Sequence, residues 1–188
     1  MHGMSTAPSH FPTRRRALAI GAATLATPWL VDRAAAAYVV RPWPAAKPVP
    51  ALDLADLDGK RWGLEALVGR VVLLNFWATW CEPCRAEMPS LDALARHHRE
   101  QGLTVLAINY RETAEIIRGF LERTPYSATI LLDADGDATT EWTPRVFPST
   151  VLIGRNGLPT TTVLGDLDWG GAAAKEMIDP LLAAARKA

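Results

Sequence analysis

The two cysteines of the chain, Cys81 and Cys84, are three positions apart in the run Trp80-Cys81-Glu82-Pro83-Cys84. This spacing suits a redox or metal-binding pair better than a structural disulfide. Cys81 opens a predicted helix, where unpaired backbone N–H groups and the helix dipole lower the pKa of a thiol. Cys84 falls on the same helical face. The pair can therefore close and open a small disulfide ring, with Cys81 expected to be the exposed attacking thiol and Cys84 the resolving thiol.

The residues around the pair refine this chemistry. Pro83 occupies the first helical turn, where its missing N–H costs nothing. Glu82 is expected to face solvent, and its negative charge opposes a thiolate on Cys81. A less stabilised thiolate predicts a reducing rather than an oxidising couple. Trp80 is a candidate docking surface for substrate, with simple packing as the alternative.

Glu87 interrupts the apolar stripe of the same helix, three positions after Cys84. A carboxyl group in partly apolar surroundings has a raised pKa. Glu87 is therefore predicted to exchange a proton with Cys84. A solvated glutamate in the first turns of a helix is the structural alternative.

The dipeptide Phe147-Pro148 directly precedes a predicted buried strand. A proline in this position is a candidate for a cis peptide bond. A cis bond would allow the Phe147 backbone to pair with an extended substrate. A trans proline at a strand edge is the alternative.

Hydrophobic patterning predicts the elements that position these residues. Unbroken apolar runs at 71–77 and 103–109 indicate strands covered on both faces, and a 3.6-residue stripe indicates a helix over 82–100. Further segments complete the pattern: a hairpin around Asp58-Gly59, a helical turn at 64–68, strands at 129–132, 149–153 and 160–164, and helices at 114–123, 139–142 and 170–186. This order predicts an α/β fold, with a central mixed sheet flanked by helices and an extra N-terminal β-hairpin.

The first 37 residues are predicted to be an export signal, and the folded domain is predicted to span 51–188. A basic block at 14–16, an apolar stretch at 17–31 and four alanines at 34–37 form the pattern of a secretory signal. The basic block also resembles a twin-arginine signal, and the general secretory route fits equally well. The apolar stretch is shorter than the ~20 residues of a membrane span, but an uncleaved signal would leave a membrane tether. Residues 38–50, with four prolines, are predicted to be an extended spacer.

Composition and charge narrow the function classes. The chain of 188 residues is 49% apolar and 21% charged, which is ordinary for a globular domain. The chain holds 20 basic and 20 acidic residues, four Arg and one Asp of them before position 38, so the remainder has a net charge of −3. Such a domain does not attract nucleic acid. Export implies an oxidising compartment, so a cysteine pair that acts as a reductant needs a continuing supply of electrons.

These motifs together resemble the TlpA-like (ResA-like) branch of the thioredoxin family, over about residues 50–187. The resemblance is carried by Asp58-Gly59, the run from Asn75 to Cys84, Glu87-Met88-Pro89, the run from Phe147 to Thr150, and Asn156-Gly157. It implies a thioredoxin-like fold, a cis Pro148 that faces the cysteine pair, and Glu87 as the buried acid. Two positions depart from the pattern. Asn75 stands where general thioredoxins usually carry Asp, and Phe147 where a smaller aliphatic residue is expected.

The resemblance also implies a reaction and partners. The reaction is thiol–disulfide exchange, with the Cys81–Cys84 disulfide as the redox group and no other cofactor. The implied substrates are exported proteins such as apocytochrome c or copper-site assembly proteins. The implied electron donor is a membrane thiol-transfer protein.

Two alternatives use the same cysteines. A copper carrier would hold Cu(I) on the pair, but it needs further ligands, and His97 and His98 are predicted to lie roughly 20 Å away along the helix. We therefore predict no metal site. A thiol peroxidase would need an Arg or Thr beside an activated cysteine, and the Cys-Glu-Pro-Cys motif at a helix start argues against it.

Overall fold

The computed structural model describes residues 38–184, which form one mixed sheet with helices on both faces. The predicted export signal at 1–37 lies outside the described residues. The strands are β1 (Tyr38–Pro42), β2 (Asp53–Asp56), β3 (Arg61–Gly63), β4 (Val71–Trp77), β5 (Leu103–Tyr110), β6 (Thr129–Asp133), β7 (Ser149–Ile153) and β8 (Pro159–Gly165). The helices are α1 (Glu82–His97), α2 (Ala114–Leu121), α3 (Asp137–Trp142) and α4 (Ala172–Ala183), with a 3₁₀ turn at Glu65–Leu67.

The eight strands lie in the order β1-β8-β7-β4-β5-β6-β2-β3. The central strand β4 is buried along its whole length and pairs parallel with β5 and antiparallel with β7. In the antiparallel pair, Phe76 lies opposite Ser149. Pro148 therefore lies at the carboxyl end of β4, the end from which the chain continues to Cys81.

Alternate residues of β4 face opposite layers, as the two-residue period of a strand requires. Val72, Leu74 and Phe76 pack with α3, whereas Val71 and Leu73 pack with α1 and α4. Position 75 therefore points to the same side as α1. A third apolar cluster surrounds the cysteine pair and joins the end of β4 to α1 and α2; its members include Trp77, Ala78, Met88, Ile117 and Phe120.

The prediction of an extended spacer at 38–50 has to be corrected, because the first residues of this segment belong to the sheet. Residues 38–42 form β1, an edge strand that pairs antiparallel with β8. Beyond the strand, the Trp43 ring lies 5.5 Å from that of Trp142, and Lys47 Nζ donates to the carbonyl oxygen of Glu141 at 2.7 Å. Four prolines suggested an extended linker, but a proline that ends an edge strand is compatible with pairing. The folded domain therefore includes residues 38–42 and does not begin at position 51.

The other predicted elements are present, with small changes at their ends. The predicted hairpin is formed by β2 and β3, and β2 joins the sheet by pairing with β6. Helix α1 ends at His97 rather than at 100, and α2 ends at Leu121 rather than at 123. Helix α4 begins at Ala172 and ends at Ala183, inside the predicted limits of 170–186. Within 38–184, none of the helices is long and apolar enough to cross a membrane.

Candidate active site

Cys81 and Cys84 form a disulfide at the start of α1, with their Cα atoms 5.3 Å apart. Cys81 is the N-cap residue of the helix, and its Sγ accepts the backbone N–H of Cys84 at 3.3 Å. The residues usually preferred at a helix N-cap are Ser, Thr, Asp and Asn, whose side-chain oxygen accepts this kind of bond. Here a sulfur takes that position, so a thiolate on Cys81 would receive an N–H donor and the positive end of the helix dipole.

The exposure of the two cysteines differs from what we expected. Cys81 is 5% exposed and Cys84 is 1% exposed, so both are buried in the oxidised protein. The prediction of an exposed Cys81 is wrong in degree because Trp77, Met88 and Phe147 pack around the pair. The intervening Glu82 and Pro83 are exposed, as expected for the outer side of the first turn.

Glu87 lies one helical turn beyond Cys84 on the buried face of α1 and is 4% exposed. Its Oε1 accepts from Asn75 Nδ2 at 2.7 Å, and its Oε2 accepts from the Leu167 backbone N–H at 3.2 Å and from Trp169 Nε1 at 3.1 Å. Burial raises the pKa of Glu87 to about 7, against the opposing influence of these three donors. The carboxyl group is therefore suited to both release and take up a proton near neutral pH.

Asn75 links three elements at the base of the site. It is 1% exposed, and its Nδ2 donates to Glu87 on α1 and to Thr150 Oγ1 on β7 at 3.0 Å. An amide cannot titrate, so this position holds the Glu87 carboxyl without adding a second acid.

The peptide bond between Phe147 and Pro148 is cis, as the family resemblance implies. The Phe147 ring lies 5.7 Å from that of Trp80 in an edge arrangement and 5.2 Å from that of Tyr110. Trp80 is 61% exposed and directly precedes Cys81. The structure thus brings two of the predicted docking residues, Trp80 and Phe147, together beside the cysteine pair.

Sequence reasoning missed Glu112, which follows β5. Its carboxylate accepts from the Thr79 backbone N–H at 2.7 Å, from Thr79 Oγ1 at 2.5 Å and from Asn109 Nδ2 at 2.8 Å. These bonds fix the loop that delivers Cys81. Polar residues at the carboxyl end of a buried parallel strand are a known signal of a functional site, and Asn109 and Glu112 carry that signal at the end of β5.

Trp169 was also missed, and the sequence gives little to find it by. Its contact with Glu87 joins residues 82 positions apart, so only the folded chain shows it.

Metal ligands are not assembled around the cysteines: within the described part of the chain, no group of three or more His, Cys, Asp or Glu side chains could hold a metal ion. His97 and His98 lie at the far end of α1 and contact each other, with ring centroids 4.6 Å apart.

Comparison with known proteins finds thiol-disulfide oxidoreductases and thioredoxin-like proteins among the relatives. A model of the AhpC/TSA family matches residues 45–158, more than half of the chain. The chain is 33% identical to the thiol-disulfide oxidoreductase ResA of Bacillus subtilis (strain 168) over 118 residues, which cover 63% of this chain and 66% of ResA, slightly less than two thirds. It is 32% identical to the thioredoxin-like protein YneN of the same strain over 131 residues, which cover 68% of this chain and 73% of YneN.

A solved structure shares the fold over most of the chain. The crystal structure described as a DsbE thiol:disulfide interchange protein from Chlorobium tepidum superimposes with a TM-score of 0.66 at 28% identity, over 71% of this chain and 94% of that chain. This likeness confirms the predicted thioredoxin-like fold. Together, the fold, the family match and the ResA relatives place the sequence: the chain belongs to the AhpC/TSA family of thioredoxin-like proteins.

Proposed function

We propose that the chain is a thiol–disulfide oxidoreductase that reduces disulfides in exported proteins. Cys81 is the attacking thiol, Cys84 the resolving thiol, and Glu87 the base that serves Cys84. The observation that carries the proposal is the position of Cys81 Sγ at the N-cap of α1, where it accepts the Cys84 N–H at 3.3 Å. Relatives named as thiol-disulfide oxidoreductases support the same class of reaction.

In the first step, the Cys81 thiolate attacks one sulfur of the substrate disulfide. A mixed disulfide forms between Cys81 and the substrate, the substrate S–S bond breaks, and the other substrate sulfur leaves with the electron pair. The unpaired N–H groups of the first turn and the dipole of α1 stabilise the thiolate that begins this step.

In the second step, the Glu87 carboxylate takes the proton of Cys84. The Cys84 thiolate then attacks Cys81 Sγ, which forms the Cys81–Cys84 disulfide and releases the second substrate sulfur. A pKa of about 7 leaves Glu87 divided between its two forms near neutrality, the condition under which proton transfer is most effective. Each cycle removes two electrons from the pair, and we propose a membrane thiol-transfer protein as the donor that restores them.

The predicted docking residues suit a polypeptide substrate. Trp80 and Phe147 present contacting rings beside Cys81, and Pro148 lies next to them at the end of β4. Glu82 and Pro83 form the exposed outer side of the pair. This arrangement supports an extended peptide with an apolar residue near its cysteine, and apocytochrome c and copper-site assembly proteins remain the candidates that the resemblance suggests.

The place of action is proposed from the N-terminal sequence. Residues 1–37 have the pattern of an export signal, which would bring the domain to the periplasm or another extracytoplasmic compartment. If the signal stays uncleaved, the domain would be tethered to the membrane.

A trapping experiment tests the proposal. The Cys84→Ser variant of the full chain, expressed with its export segment, should retain substrates as mixed disulfides on Cys81, which non-reducing electrophoresis and mass spectrometry would identify. The matched Cys81→Ser variant should retain none. The reverse result would exchange the two roles. Tight Cu(I) binding by the wild-type protein, without reduction of any disulfide peptide, would favour the metal-carrier alternative.

A further inference from the structure

Trp169 contacts the Glu87 carboxyl from a part of the chain that sequence analysis left without a role. We propose that Trp169 is a positioning residue whose indole N–H holds the Glu87 carboxyl and sets the pH range in which Glu87 can take the proton of Cys84. This inference rests on the proposed function of Glu87 as the base. It adds a residue from the segment between β8 and α4 to the control of the reaction.

Trp169 is held in place by packing of its side chain against two helices and by a hydrogen bond from its backbone. The Trp169 side chain is 1% exposed and packs with Leu91 and Leu94 of α1 and with Ile178 of α4. Its backbone N–H donates to Ser90 Oγ at 3.1 Å, and Ser90 Oγ donates to the Glu87 carbonyl oxygen at 2.8 Å. The side chain and the backbone of Trp169 are therefore both attached to the same turn of α1. The indole N–H has a fixed direction toward Glu87 Oε2, 3.1 Å away.

The kind of donor decides its effect on Glu87. An indole N–H can donate a hydrogen bond but cannot accept one. It therefore stabilises the carboxylate form of Glu87. It cannot accept a hydrogen bond from a protonated Oε2. Among the three donors, Trp169 has the largest lowering influence on the Glu87 pKa, ahead of Leu167 and Asn75. Without it, burial would keep Glu87 protonated up to a higher pH, and the protonated form cannot act as a base.

Other charged or titratable groups face Glu87 and remain in a Trp169 variant. The negative charge of Asp166, in the same segment as Trp169, raises the Glu87 pKa. Burial raises the pKa of the Tyr126 phenol, and the negative charges of the nearby Glu87 and Asp92 raise it further. On α1 itself, the neighbouring titratable group is the Cys84 thiol in the reduced protein. Asp166 provides a variant of opposite sign, because its removal should make Glu87 ionise at lower pH.

The resolving step can be isolated with an aryl disulfide, dithiobis(nitrobenzoate). Reduced Cys81 attacks the reagent, forms a mixed disulfide and releases one thionitrobenzoate anion. Cys84 then attacks Cys81 Sγ, closes the Cys81–Cys84 disulfide and releases the second anion. The rate of the second release, followed by visible absorbance from about pH 5.5 to 9, reports the ionisation that activates Cys84.

Trp169→Phe should move the pH profile of the second release to higher pH by about one unit or more, since a hydrogen bond to a charged group is worth more than one between neutral groups. At acidic pH the second release should slow about tenfold, whereas at high pH it should approach the wild-type rate. Asp166→Asn should shift the profile to lower pH. Trp142→Phe is the matched control: that indole is also 1% exposed but donates to the Ala51 carbonyl oxygen, so its loss should leave the profile in place.

The outcomes distinguish a failure of the proposed role of Trp169 from a failure of the proposed role of Glu87 as the base. If Glu87→Gln leaves the wild-type profile unchanged, the proposed base is wrong. If Glu87→Gln abolishes the titration while Trp169→Phe does not shift it, only the role of Trp169 is wrong. In Glu87→Gln, adding Trp169→Phe should cause no further shift. If Trp169→Phe unfolds the protein, benzothienylalanine at position 169 keeps the ring shape, replaces N–H with sulfur, and should give the same alkaline shift; an unshifted profile would overturn the inference.

Discussion

Two carboxyl groups in this protein are almost equally buried but have different surroundings. Glu87 is 4% exposed and Asp133 is fully buried. Asp133 ends β6, and its carboxylate accepts the backbone N–H groups of Ala138 and Thr139 and the Thr139 hydroxyl, at 3.2, 2.8 and 2.5 Å. Its donors thus include N–H groups of the first turn of α3, which have no partner within the helix. Glu87 instead accepts from an amide, an indole and a loop N–H, one helical turn from a cysteine.

This comparison shows that burial alone does not reveal the role of an acid. The N-cap residue of α3 is Gly136, which has no side chain to accept a hydrogen bond, so Asp133 satisfies donors that α3 would otherwise leave unpaired. Removing Asp133 should therefore damage the fold. The donors to Glu87 terminate no helix, and removing the Glu87 charge should change the chemistry and its pH dependence.

The largest expected effect is on stability at Asp133. Asp133→Ala should lower the free energy of unfolding by about 3 kcal/mol, because it leaves buried N–H groups without partners. Urea denaturation measures this loss. The exposed Asp137→Ala, in the first turn of α3, is the matched control and should cost less than about 1 kcal/mol. If Asp133→Ala costs no more than Asp137→Ala, the capping role of Asp133 is wrong.

Ionisation of Glu87 should affect stability with the opposite sign, and this contribution should depend on pH. A carboxyl group whose pKa is raised from 4.5 to about 7 on folding opposes folding once it ionises. The contribution of Glu87 is therefore most favourable below pH 4.5, declines as the pH rises through 7, and is constant above that. Relative to Glu87→Gln, the wild-type protein should lose up to about 3 kcal/mol of stability between pH 4.5 and 8. Urea denaturation of the two oxidised proteins at a series of pH values measures the difference, and a pH-independent difference would contradict it.

The two acids were also unequally visible in the sequence. Cys81, Cys84 and Glu87 were found because helical spacing is a local property that survives without the rest of the fold. The partners of Glu87 on the loop before α4 lie about 80 residues downstream, and no local pattern predicts such a contact. Sequence analysis did not single out Asp133, because it begins a run with three Asp and one Gly, a composition typical of a turn. The same division applies to the fold. The buried strands were predicted because they are apolar runs. Strand β1 was not predicted, because it lies in a proline-rich segment and its pairing with β8 is a tertiary contact.

Glu112 should have an effect of intermediate size, because its carboxylate is only partly buried but holds the loop before Cys81. Glu112→Gln replaces one acceptor oxygen with a donor that faces other donors. It should cost about 1–2 kcal/mol of stability and slow the first release of thionitrobenzoate a few-fold, because Thr79 no longer fixes the approach to Cys81. Glu115→Gln, an exposed neighbour on α2, should change neither quantity. If both variants behave alike, the Thr79 contact does not position the cysteine.

Glu82 completes the comparison as an acid with an exposed side chain, and it should have the smallest effect. Its charge lies beside Cys81 and opposes the thiolate that forms on reduction, so Glu82→Gln should stabilise the reduced pair. Exposed charges interact weakly, and the expected change is a less negative redox potential by about 10–20 mV. Equilibration with glutathione at fixed pH and low salt measures it, with the exposed Glu176→Gln on α4 as the control. The shift should shrink as salt screens the charge, and a more negative potential in Glu82→Gln would show that Glu82 does not favour the oxidised pair.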